Sequence, residues 1–308
     1  MIAQMKYGLK YMLGTDIAGP RLAVFPEDIF LVSYPRSGNT WMRFLLANLI
    51  YPDQEVSFLT IGNLVADPAR ASRKFLKSLP RPRILKSHYP FDSRYRKVVY
   101  LVRDPRDVAV SEYYFSLKKL RLDASVTIDQ FVESFVAGDR SAYGSWWENV
   151  ASWIAARKGD PGFLLVRYED LLRETVAELS RVASFLAIDR NPDAVRTAVQ
   201  RSSFERMRQL EKAEASQWEG TRDTRQDIPF VRSGKTGGWR DVLSPRSVAW
   251  IESAWAPFLV SLGYELSGEC AEARNAPRLI ENCPRVEPEA TNLLAGGVRT
   301  RSFAWLGA

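Results

Sequence analysis

Short apolar runs, each closed by a polar or glycine-bearing turn and followed by helical spacing, recur along the chain. Residues 28–33, 83–86, 97–102 and 163–167 read as strands, and the run 97–102 is apolar throughout, as in a parallel strand covered on both faces. Helices are expected at about 40–50, from Pro105 onward, through 126–157, at 171–187 and 193–201, and at 244–262. Asp104 suits the N-cap of the second of these, Pro105 its first position and Asp107 its capping box. Residues 1–27 form a lead-in, and Pro52, Pro68, Pro80 and Pro82 break 51–82 into short helices and loops. The 202–207 stretch reads as a turn, and 208–228, charged and without a firm period, as a mobile loop. Strands alternating with helices imply an α/β fold: one domain over 1–265, with a central parallel sheet flanked by helices. Residues 266–308 lose periodicity and are expected to be irregular or partly disordered, and no internal repeat is visible.

Composition changes this picture little. At 308 residues with 46% hydrophobic and 26% charged content, the chain can bury a substantial core. Lys and Arg number 43 against 36 Asp and Glu, a net charge of +7, which suits anionic ligands. The charges are scattered, so nothing points to nucleic acid. Two cysteines, Cys270 and Cys283, lack metal-ligand spacing, and no apolar run is long enough to span a bilayer. A soluble, cytoplasmic protein is expected. Oligomeric state is unreadable.

Candidate chemistry begins at Phe30-Leu-Val-Ser-Tyr-Pro-Arg-Ser-Gly-Asn-Thr-Trp41, a strand, a tight loop and a helix start. Such a P-loop-like turn after the first strand aims backbone amides and a helix dipole at one point, which suits a phosphate. Gly38 permits close approach of the backbone, Ser37, Asn39 and Thr40 supply short donors, and Arg36 supplies charge. Further on, Arg103 at a strand end and Ser111 on the following helix offer a forked cation and a hydroxyl to a second phosphate. His88 is the single histidine and follows a strand, which places a group of near-neutral pKa there. Lys86 lies two residues earlier, on the same side of the extended segment.

Taken in order, these pieces resemble the PAPS-dependent sulfotransferases of the soluble, cytosolic type, over roughly residues 28–265. Ser33-Tyr-Pro-Arg-Ser-Gly-Asn-Thr-Trp41 resembles that family's loop for the 5′-phosphosulfate, and Tyr100-Leu-Val-Arg-Asp-Pro-Arg-Asp-Val-Ala-Val-Ser111 its site for the 3′-phosphate. Lys86-Ser-His88, Tyr143-Gly-Ser-Trp146, Tyr168-Glu-Asp170 and Arg232-Ser-Gly-Lys-Thr-Gly-Gly-Trp-Arg240 fall where the family has counterparts. The resemblance implies PAPS as co-substrate, adenosine 3′,5′-bisphosphate (PAP) as product, and no metal. By it, residues 36–41 hold the 5′ end with Trp41 against the adenine, and Arg103 and Ser111 hold the 3′-phosphate with Arg232, Ser233 and Gly234. Tyr168, Ser202, Phe204 and Met207 surround the base, His88 is the catalytic base, and Lys86 and Arg36 face the transferring group. Two positions depart from the pattern: Arg36 stands where the family usually has lysine, and Ser233 where it has a second cation. Lys235 or Arg240 are candidates to compensate for the latter.

Phe25, Tyr89, Phe91, Tyr114, Phe115, Tyr143 and Trp146 are candidates to line an acceptor pocket, at least half of them being core instead. Such a lining favours a phenol, lipid or natural-product alcohol; an amine is a further candidate. Two other readings compete. A P-loop kinase or NTPase would need a Gly-Lys pair that the opening loop lacks, and Gly234-Lys235-Thr236 has Pro229 at the first glycine position. A nucleotide-binding protein without catalysis would have no use for Lys86 and His88.

Overall fold

A computed structural model of the chain describes residue 10 and residues 12–267. Among these, β1 (Ile29–Ser33), β2 (Ile84–Ser87), β3 (Lys97–Val102) and β4 (Phe163–Arg167) form one sheet in the order β2-β1-β3-β4, with every neighbouring pair parallel. Side chains alternate across a strand, so the apolar runs feed two cores at once. Phe30 and Val32 join Val98, Tyr100 and Val102 on one face; Ile29 and Leu31 join Val99 and Leu101 on the other.

Helices α1 (Asn39–Ile50), α2 (Ile61–Leu64) and α3 (Arg73–Ser78) lie between β1 and β2, and α4 (Pro105–Lys118), α5 (Ile128–Val136) and α6 (Trp146–Arg157) between β3 and β4. After β4 come α7 (Tyr168–Arg173), α8 (Thr175–Phe185), α9 (Pro192–Arg201), α10 (Phe204–Glu214) and α11 (Pro245–Ser261). The first core takes side chains from α4, α5, α6 and α11, the second from α1, α8, α9 and α10. The expected single domain with a helix-flanked parallel sheet is what the chain forms.

Three expectations are corrected. The helical stretch 126–157 is two helices, because Thr127 with Gln130 and Ser145 with Glu148 each build a capping box and so start a helix twice. The turn expected over 202–207 is confined to its first two residues, and 204–214, expected as turn and loop, are helix. Ser203 caps α10, whose Met207, Leu210 and Glu211 turn one buried face inward despite the charged sequence. Asp104 caps α4 as expected, accepting from the Arg106 amide at 2.9 Å. Asp107 serves instead as a long-range acceptor, from the amides of Gly237 (2.7 Å) and Trp239 (3.1 Å). The tail expected over 266–308 lies, beyond residue 267, outside the described residues, as do Cys270 and Cys283. No helix among the described residues is long and apolar enough to cross a membrane.

What the fold does for function is set by strand polarity. The carboxyl ends of the four parallel strands lead directly to Tyr34–Gly38, His88, Arg103 and Tyr168, so these residues share one edge of the sheet, where open α/β folds place their ligands.

Candidate active site

Between β1 and α1 the chain turns through two left-handed residues, Arg36 (φ 65°) and Gly38 (φ 94°). No side chain caps α1, so the first amides of a twelve-residue helix are left for a ligand. Ser37 Oγ is buried without a hydrogen-bond partner, a cost of about 1–3 kcal/mol that an accepting anion would remove. Asn39 behaves otherwise than a ligand donor, because its Nδ2 is spent on Leu31 O (3.1 Å) and Ser33 Oγ (3.2 Å), tying the helix start to β1. Thr40 lies next to it, half-buried.

Gly38 has a close neighbour: a Cβ built there would lie 2.5 Å from Tyr168 Cδ2. Gly38→Ala should therefore force both a strained backbone, at about 1–3 kcal/mol, and displacement of the Tyr168 ring. Thermal unfolding should show a Tm lower by roughly 4 °C or more, and Tyr168→Ala in the same chain should recover part of it. No recovery would mean that the close approach is not the cause.

Three arginines from distant segments converge beside this loop. Arg103 is buried, donates from Nη1 to Arg36 O (3.2 Å) and from Nη2 to Lys235 O (2.9 Å), and lies 4.3 Å over the Tyr168 ring. Arg36 donates from Nε to Ser111 Oγ (3.1 Å) and from Nη2 to Phe230 O (3.3 Å), packed on the Phe115 and Phe230 rings. Arg232 lies 4.8 Å over Tyr114, and its Nε, like that of Arg103, is buried without a hydrogen-bond partner. Burial, with the charges of Arg103 and Arg232, brings Arg36 down to about 10, opposed chiefly by Glu112; it stays a cation at neutral pH. Burial, with Arg103, also lowers Arg232. Glu112 and Asp107 offset these charges in part, and the concentrated positive charge favours an anion there.

His88 sits across β1 from these cations. Its Nδ1 lies 2.7 Å from Ser33 O, and a carbonyl can only accept, so Nδ1 carries the proton and Nε2 is left with the lone pair. Asn149, fully buried on α6, donates to the carbonyls of His88 (2.9 Å) and Tyr143 (3.3 Å) while its Oδ1 accepts from Tyr100 Oη (2.8 Å). The imidazole meets the Tyr143 ring edge-on at 5.6 Å. Burial, then the Lys86 ammonium, holds its pKa below the ordinary histidine range. Lys86 Nζ donates to Asp67 Oδ2 at 2.7 Å, and Asp67, Lys86, His88, Tyr89 and Tyr143 line one narrow hollow.

Several of the remaining expected residues pack on one another and on the loop before α1. Trp41 Nε1 donates to Ser202 O (3.0 Å), and its ring meets Tyr168 edge-on at 5.8 Å. The Ser202 hydroxyl accepts from Asn48 Nδ2 (3.0 Å), and Met207 is buried. Gly234 (φ 60°) faces Phe204, whose ring would lie 2.5 Å from an added Cβ, while Phe204 itself stays 37% exposed. Ser233 is half-buried beside Arg232; the exposed Lys235 meets Arg103 only through its carbonyl, and Arg240 lies on the Trp239 ring. Of the aromatic candidates, Tyr89 and Tyr143 line the His88 hollow. Trp146 is core, with Nε1 on Arg103 O (3.2 Å); Phe25 lies under Arg81 and Arg83, and Phe91 packs on Trp153.

A family model described as a sulfotransferase domain matches residues 26–256. The chain belongs to the sulfotransferase family. It is 31% identical over 233 residues to sulfotransferase 1B1 of Mus musculus, covering 70% of this chain and 77% of that protein. To sulfotransferase 1A1 of Bos taurus it is 30% identical over 250 residues, covering 75% and 83%. Among solved structures, the mouse sulfotransferase SULT7A1 complexed with PAP superposes with a TM-score of 0.63 at 25% identity, covering 84% of this chain and 92% of that one. Retinol dehydratase in complex with retinol and PAP superposes equally well, at 0.63 with 22% identity over 76% and 81%, a likeness of fold.

Two residues of this sulfotransferase's site escape a reading of its sequence. Asn149 carried a signal: a polar residue among Trp146, Val150 and Trp153 on the buried stripe of α6. Asp67 carried none, since it lies in the proline-broken 51–82 region, where no period marks which residues turn inward.

Proposed function

We propose that this sulfotransferase moves the sulfuryl group of PAPS to a hydroxyl of a small-molecule acceptor, releasing PAP. The observation that carries the reading is the convergence of Arg36, Arg103 and Arg232 at the uncapped start of α1, with His88 tied by Nδ1 to the carbonyl of Ser33, three residues before Arg36. The fit to a doubly phosphorylated nucleotide rests on the unpartnered donors Ser37 Oγ, Arg103 Nε and Arg232 Nε beside the uncapped start of α1. Residues 36–41, Asn39 by its backbone alone, would hold the 5′ end, and Arg103, Ser111 and the 232–234 segment the 3′-phosphate. Trp41, Tyr168, Ser202, Phe204 and Met207 would surround the base. Bound PAPS supplies the activated sulfuryl group.

The chain's own residues do the rest. His88 Nε2 takes the acceptor's proton, and the Ser33 carbonyl, accepting from Nδ1–H, steadies the cation that forms. Lys86 offsets negative charge on the transferring group, and Arg36, anchored on Ser111 Oγ, adds positive charge beside it. Tyr89 and Tyr143 beside His88 favour an aromatic, lipid or natural-product alcohol as acceptor, in the cytoplasm. The test is an acceptor screen with labelled PAPS and no added metal. Label transfer to a phenol or alcohol with release of PAP is expected; nucleoside triphosphate hydrolysis instead would favour a kinase-like reading, and PAP binding without turnover on a broad panel an inactive binder.

A further inference from the structure

Asp67 owes its place to backbone bonds. Ala66 makes an isolated parallel bridge to Leu85 beside β2, with Lys86 N on Ala66 O (2.8 Å) and Ala66 N on Ile84 O (3.1 Å). Arg43, buried on α1, donates to Val65 O from Nε (3.1 Å) and Nη2 (2.5 Å), clamping the same segment from the other side. Asp67 Oδ1 accepts from the Ala69 amide at 3.1 Å, which leaves Oδ2 aimed at Lys86 Nζ, 2.7 Å away. The carboxylate is thus held by the backbone as well as by the lysine, with Arg70 Nε at a longer 3.8 Å from Oδ2. Both side chains are largely buried, 16% and 10% exposed, and both line the hollow that contains His88.

We propose, building on the sulfuryl-transfer reading, that Asp67 is a positioning residue for Lys86, fixing its side chain in the His88 hollow and keeping its ammonium charged there. Every other influence on Lys86 acts against that charge. Burial is the largest, and Arg43 from α1 and Arg70 from the 66–70 segment act in the same direction; His88, two residues on, is held neutral. Asp67 alone opposes them, by its charge and by its hydrogen bond. Tyr89 and Tyr143, the other titratable groups of the hollow, stay protonated, since burial raises both. An uncharged Lys86 amine could not offset charge on a transferring sulfuryl group. The same carboxylate partly cancels the effect of Lys86 on His88, so the pair holds acid and base functions apart in a small space.

The test compares the full-length protein with Asp67→Asn and Asp67→Glu. Lysine side chains are labelled with ¹³C and the Lys86 signal, assigned by its loss in Lys86→Met, is titrated by NMR. Turnover is measured against pH with PAPS and the best phenol of the acceptor screen, and PAP affinity by calorimetry. In Asp67→Asn the Lys86 titration should move down by about one to three units, and the alkaline limb of kcat should move with it. Each unit of that move removes about tenfold of turnover above the limb. Asp67→Glu should restore both, and PAP affinity should change little in either. A Lys86 titration that stays put, or a loss of kcat equal at every pH, overturns the proposal. The NMR titration decides the pairing even if the wild-type protein shows no PAPS-dependent turnover, which would overturn the transfer reading instead.

Discussion

Replacing His88 with alanine should lower turnover by about 100- to 10,000-fold and leave PAP affinity nearly unchanged. The tautomer dictates this outcome. With Nδ1–H bound to Ser33 O, Nε2 is the basic atom, and Asn149 holds the His88 backbone so that this atom keeps its direction. The proposed phosphate contacts lie elsewhere, on Arg103, Ser111 and the loop before α1. The pH dependence should carry the same signature. Burial and Lys86 hold the folded pKa below the unfolded value of about 6.5, so the imidazole is neutral at pH 7. The acid limb of kcat/KM in the wild type should therefore fall below pH ~6.5. Folding stability follows the same sign: a depressed pKa means the unfolded chain takes up the proton first, so stability present above pH ~6.5 declines as the pH falls. His88→Ala should remove that decline along with the turnover. A variant that kept near-normal rates would show that another group takes the proton.

Arg103→Ala should act on the nucleotide. A charge-assisted hydrogen bond contributes about 1.5–3 kcal/mol, so PAP affinity should fall about 10- to 150-fold, read by calorimetry at fixed salt. Losing the guanidinium also frees the carbonyls of Arg36 and Lys235, which it ties together across the site. Arg103→Lys should recover only part of the loss, since an ammonium cannot reach both carbonyls in a fork. Unchanged PAP affinity in Arg103→Ala would refute its role at the 3′-phosphate.

Most of the architecture was legible because its signals are local. The run 97–102 coincides with β3, 163–167 with β4, and Asp104-Pro105 marks the start of α4. The candidate-site motifs stand out in the sequence by their short spacings, and the structure gathers the strand-end residues on one sheet edge. What escaped is long-range. The two residues that fix Lys86 and His88, Asp67 and Asn149, arrive from a proline-broken stretch and from a helix far along the chain. Asp107 looked like a local cap and instead bonds across to Gly237 and Trp239. Charge-rich α10 looked like loop because its helical signal is the burial of only Met207, Leu210 and Glu211.

Because Phe30 and Val32 belong to one core and Ile29 and Leu31 to the other, β1 has no spare position along its length. Adding or deleting a single residue there would swap every side chain to the wrong face and rotate the loop beyond it away from His88. The turn at 51–54, outside the sheet and largely exposed, has no such coupling. Insertion scanning should find these two places at opposite extremes of tolerance.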